Sequence, residues 1–192
     1  MDAENWFAKT GLIIAIASGL LVSTTGCSDD SYTTFNIHEG MQPLSFEYPG
    51  EYNLVRLDME NDPAAKYTTI GLATGGPRSY SEIYAYIWNT TADLPGAKQI
   101  MDKLLANAAQ SLTGYKLENR TVVTIGDLTG EYSIFSALGD ATNSNQSPAT
   151  YRVSVCTSGT MAIEVDMTCD NSLKDATQPD YDHLLESFKL LS

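Results

Sequence analysis

The chain has 192 residues, 24 acidic against 11 basic, and a formal net charge of −13. That balance repels phosphate backbones and anionic headgroups, which argues against nucleic acid as a partner. Three cysteines and two histidines leave little material for a disulfide framework or a metal centre, and no cofactor is expected.

Residues 12–22 are apolar or small; Ser23, Thr24, Thr25 and Gly26 follow, then Cys27 and a polar stretch. Such a run rises only about 16 Å as a helix, short for a membrane span and right for a signal-peptide core. It resembles the lipobox of bacterial lipoproteins, in which the cysteine is diacylated and becomes residue one of the mature chain, although Thr24 stands where an aliphatic is usual. The resemblance implies a lipoprotein-type signal peptide over 1–26, a lipidated (palmitate-bearing) Cys27, and anchoring on the extracytoplasmic face of the cell membrane. The same residues also fit an uncleaved anchor or a secretory peptide cut near Gly26. Removing 1–26 leaves 166 residues and a formal charge of −12, a length that suits one domain.

Residues 27–41 read as tether and first strand, with the strand around 34–37, and 42–192 as a single domain. In LSFEYP, Leu44, Phe46 and Tyr48 alternate with Ser45 and Glu47, a half-buried strand ended by the Pro49–Gly50 turn. A second strand spans 52–59 and is broken by DMENDP at 58–63; two more follow at 67–73 and 80–88. The one long helix is expected over 95–112, with Asp93 as N-cap, Gly114 as stop, and an apolar stripe through Ile100, Met101, Leu104, Leu105, Ala108 and Leu112. Strands are expected at 115–118, 121–125 and 130–138, with a polar loop over 140–148.

Within 150–168, Val153, Val155, Ile163, Val165 and Met167 all occupy odd positions. Placing them on one face requires a three-residue loop, Thr157-Ser158-Gly159. On that register Cys156 and Cys169 point to opposite faces, on the order of 30–40 Å apart, and stay unlinked. A closing helix is capped by Thr177 in a capping-box-like start with Pro179 and Asp180, and buries Tyr181, Leu184, Leu185, Phe188 and Leu191. Strand runs outnumber helices and do not alternate with them, which gives an α+β class: an antiparallel sheet with helices packed on its faces.

LSFEYPGEYNL, the mid-chain amphipathic helix and the terminal DYDHLLESFKLLS together resemble the PsbP-like fold. That group includes small bacterial lipoproteins of the DcrB and LpqN type. The resemblance implies an α/β/α sandwich without catalysis, and no shared ligand, because function lies in sites rather than in folds.

The chemical signals are sparse. His38 lies in the N-terminal lead and His183 on the polar side of the last helix; no HExxH, GxSxG, CxxC or phosphate-loop pattern occurs. Asp58, Glu60 and Asp62 begin like a calcium loop, but Pro63 replaces the required glycine and Thr69 the bidentate glutamate. Tyr80, Tyr84, Tyr86 and Trp88 share one strand face, read either as core of a sheet covered on both sides or as partner-binding aromatics. The sequence thus points to a non-catalytic binding or accessory domain of the envelope, held to the membrane by its lipid and serving an envelope protein or small ligand. The alternative is an envelope hydrolase drawing on His38, Asp58 and Glu60.

Overall fold

The computed structural model describes residues 32–37, 43–61, 65–74, 81–138 and 148–191. Residues 1–31, with Cys27, lie outside the described residues, as do His38, Asp62, Tyr80 and all of the expected 140–148 loop but Pro148. The strands are β1 (Tyr32–Ile37), β2 (Leu44–Pro49), β3 (Asn53–Asn61), β4 (Ala65–Thr74), β5 (Ser81–Thr90), β6 (Lys116–Ile125), β7 (Leu128–Leu138), β8 (Pro148–Ser158), β9 (Met161–Asp170) and β10 (Lys189–Leu190). The helices are α1 (Ala97–Ser111) and α2 (Gln178–Ser187). Every strand pairing among the described residues is antiparallel, in a three-stranded sheet β1-β2-β10 and a seven-stranded sheet β3-β4-β5-β9-β8-β7-β6.

The order of the large sheet places the central strand. The chain leaves β5 through α1 to the far edge at β6, then returns by hairpins through β7 and β8, so β9 closes beside β5. Alternation then divides the side chains between two hydrophobic clusters. Val153 and Val155 of β8 pack with Phe135 and with Ile100, Met101 and Leu104 of α1. Cys156 joins the other cluster, with Ile83, Ala85 and Ile87 of β5, Ile163 and Val165 of β9, Phe46 of β2, and Tyr181 and Leu184 of α2.

That division overturns the expected hairpin register. Cys156 pairs with Ile163 and Val155 with Glu164, across the two-residue turn Gly159-Thr160. Gly159 has φ +56°, and among the described residues no non-glycine has positive φ, which suits a turn needing a left-handed residue only at its first central position. The apolar sets of β8 and β9 face opposite sides because each side has its own cluster to fill. Cys169 pairs with Thr150, so it shares the face of Cys156. Both thiols are free and buried. Six residues of strand, about 20 Å, keep them apart, rather than the sheet itself.

Other boundaries move for local reasons. Strand β3 runs past Met59 to Asn61, into the segment expected to break it, as Glu60 and Asn61 pair with Tyr67 and Lys66. The strands expected at 115–118 and 121–125 are one, since a bulge between Leu117 and Asn119 absorbs the irregularity. Asp93 does not cap α1: the Leu94 N–H is held by the Gly159 carbonyl at 2.9 Å, and the helix starts after Gly96. Its cap comes from another strand, as the Ala97 N–H donates to Thr157 Oγ1 at 3.1 Å. Thr177 precedes α2 but makes no side-chain cap; its hydroxyl turns inward and donates to the Leu173 carbonyl at 3.0 Å. The stripe Tyr181, Leu184, Leu185 and Phe188 is buried as expected, whereas Leu191 lies past the helix end, its N–H bonded to the Pro43 carbonyl.

Candidate functional site

Alternation along β5 sends Ile83, Ala85 and Ile87 into the cluster under α2 and turns Glu82, Tyr84, Tyr86 and Trp88 the other way. The last three form a ladder of stacked rings. Tyr84 and Tyr86 have centroids 6.0 Å apart at 18°, and Tyr86 and Trp88 5.8 Å apart at 8°. Tyr84 lies flat because β4 offers Gly71 beneath it; a Cβ there would sit 2.7 Å from the ring. Tyr84 and Trp88 are buried, and Tyr86 keeps partial exposure. The two readings of these residues are therefore divided: two rings are core-like, and Tyr86 is the one of the three that reaches solvent.

Beside the ladder, β9 carries acids. Tyr84 pairs with Asp166 and Tyr86 with Glu164, so both carboxyl groups share the face of the rings. Asp166 and Glu164 are hydrogen-bonded to each other. Burial raises both above the ordinary carboxyl range, and the neighbouring Glu164 charge pushes Asp166 further, so the pair retains a proton where exposed carboxyls have lost theirs. Glu82 lies on the same face, 6% exposed, and burial raises its pKa to about 7. Glu82 Oε1 and Asp166 Oδ1 are sealed from solvent without a hydrogen-bond partner. Burial, reinforced by the charges of Asp166 and Glu164, also keeps the Tyr86 hydroxyl protonated.

These acids were invisible as a site in the sequence. AIEVDM alternates like a strand with one wet face, and only the placement of β9 between β5 and β8 buries that face.

The raised Glu82 pKa gives a stability prediction. The folded chain keeps a proton that the unfolded chain releases near pH 4.5, so stability falls as pH rises from there through about 7. Glu82→Gln removes this penalty. The variant should be near neutral at pH 5 and more stable than wild type at pH 8, by on the order of 3 kcal/mol at most. Denaturant titrations at the two pH values check it; an equal difference at both would refute the assignment.

The remaining reactive groups are occupied. His183, expected to be free on the polar side of its helix, has Nε2 2.8 Å from Glu47 Oε2 and stacks on Tyr32 at 3.7 Å, joining α2 to β2 and β1. Asp58, drawn on by the hydrolase reading, is ion-paired with Arg56. Burial pushes the Cys156 thiol up to about 11, and its Sγ lies 3.4 Å from the Leu128 carbonyl. Cys169 accepts from Arg152 Nη1 at 3.6 Å. Among the described residues no group of three or more His, Cys, Asp or Glu side chains is arranged to hold a metal ion.

No family model matches the chain, and no curated protein matches it. Among solved structures it is similar to cyanobacterial PsbP (CyanoP) from Synechocystis, at 15% identity and a TM-score of 0.54, over 90% of this chain and 100% of that one. The fold is PsbP-like. Two weaker likenesses carry no argument. One is LpqN of Mycobacterium tuberculosis, described as involved in cell envelope biogenesis, with 14% identity, TM-score 0.49, 84% of this chain and 92% of that one. The other is a Bacteroides thetaiotaomicron protein, at 12% identity and TM-score 0.44, over 78% of this chain; the chain spans 45% of that protein's length. At such identities a PsbP-like likeness concerns the fold alone.

Proposed function

We propose that this chain is a membrane-anchored envelope lipoprotein whose PsbP-like domain is a non-catalytic binding or accessory module on the extracytoplasmic face. In this reading the two hydrophobic clusters are the two interlayer cores of an α/β/α sandwich. The observation that carries the non-catalytic half is that the reactive side chains are either occupied or, like the unpartnered oxygens of Glu82 and Asp166, sealed from solvent. His183 is held by Glu47 and Tyr32, the Cys156 thiol is kept protonated by burial, and the Asp166–Glu164 pair is spent on itself. A general base or nucleophile needs a free, reachable atom at a suitable pKa. The anchoring half rests on residues 12–27. No helix among the described residues is long and apolar enough to cross a membrane. In this reading the tether is a lipid at Cys27. The partner is an envelope protein or a small ligand, and Tyr86 offers it an aromatic contact.

Fractionation of cells expressing the full chain tests the proposal. Wild type should sediment with membranes, and Cys27→Ser should leave the membrane fraction or keep its precursor mass. A wild-type chain recovered from the soluble fraction would refute the tether.

A further inference from the structure

Among the described residues β3 is an end strand of the seven-stranded sheet. An edge strand presents unpaired N–H and C=O groups, and proteins commonly blunt such edges with charge. Strand β6, the other end, follows that rule: Arg120 is ion-paired with Asp102 and Glu131, and Glu118 with Lys174. Strand β3 does not. It carries four large apolar side chains in the open: Leu54 at 46%, Val55 at 54%, Leu57 at 43% and Met59 at 57% exposure. Leu57 and Met59 pair with Ile70 and Thr68 and so share one face; Arg56 and Asp58 lie on the other.

We propose that β3 is a self-association edge, on which β3 of a second copy pairs antiparallel about a two-fold axis through Leu57. Charge complementarity selects this occupant and this register. An antiparallel pairing centred on Leu57 sets Arg56 of each copy opposite Asp58 of the other. Arg56 and Asp58 are already ion-paired within the chain, with side chains 41% and 49% exposed. The dimer therefore closes a square of four alternating charges on one face. On the other, Leu57 meets its own symmetry mate; Val55, the extra residue of the bulge between Leu54 and Arg56, lies outside the regular ladder. Directly opposed side chains in an antiparallel ladder have Cβ atoms about 5 Å apart, so each of these contacts is within reach. A two-fold pairing uses the same edge of both copies, so the assembly stops at two.

The register makes the test specific. In the full chain extracted in mild detergent, Leu57→Cys should form a reducible covalent dimer on mild oxidation, because two-fold-related Cβ atoms at this spacing suit a disulfide. Val122→Cys, 65% exposed on β6, should form none above the wild-type background. Arg56→Asp and Asp58→Arg each place like charges opposite one another and should weaken self-association by roughly tenfold, measured by sedimentation. Mixing these two variants restores opposite charges across the interface and should produce a heterodimer. That result does not depend on how either change affects the isolated fold. A Leu57→Cys chain that melts like wild type yet stays monomeric would overturn the proposal. So would its crosslinking to a different protein, or charge variants that dimerise as well as wild type and show no preference on mixing.

Discussion

Phe188→Ala should destabilise the fold by about 3–5 kcal/mol, a large part of the 5–15 kcal/mol that holds a domain together. The ring is 1% exposed and stacks on Phe46 at 5.6 Å and 8°, and Phe46 stacks in turn on Phe35. It sits at the C-terminal cap of α2, a ten-residue helix too short to persist without tertiary burial. Removing it leaves a cavity between α2 and the three-stranded sheet, and β10 begins at the next residue. Denaturant unfolding should show the whole loss in one transition. A change below about 1 kcal/mol would mean that the closing helix is not part of the cooperative core.

Arg152→Met should destabilise by about 3 kcal/mol or more. This guanidinium is fully buried in β8. Nε donates to Gln178 Oε1 at 2.7 Å, Nη1 to Thr177 Oγ1 at 3.3 Å, and Nη2 to the Lys174 carbonyl. The three acceptors lie in the turn leading into α2 and in its first residue, so one side chain fixes the helix start that Thr177 does not cap. Hydrogen bonds to a charged donor contribute about 1.5–3 kcal/mol each, and methionine removes all three at once, at the buried Thr177 and the part-buried Gln178 and Lys174. Arg152→Lys should not rescue, because a single ammonium cannot span acceptors that a planar fork reaches together. Chemical denaturation of the three proteins gives the ranking; a lysine variant as stable as wild type would show that charge, not the fork, is what the site needs.

What could be read from the chain was local. The period-two pattern of β2 and the three- and four-residue stripes of both helices follow from neighbouring residues alone, and Leu44, Phe46, Ile100, Met101, Tyr181 and Leu184 are buried where expected. What could not be read was which face of a strand meets what. Arg152 in YRVSV looks like a solvent-facing residue until Gln178 and Lys174 are brought over it. His183 looks free until Glu47, 136 residues away, is placed beside it. The hairpin register failed for the same reason: one buried face was assumed where the sheet has two. At the candidate site the aromatic ladder was legible from alternation, whereas Glu82, Glu164 and Asp166 acquire their raised pKa values only from strand order.

The tether is the claim on which the functional reading turns, and the intact mass of the wild-type chain extracted from membranes tests it most directly. The account predicts a chain beginning at Cys27 and carrying acyl groups on it. An unacylated chain, with the residues before Cys27 still attached or with a bare cysteine at its start, would contradict it.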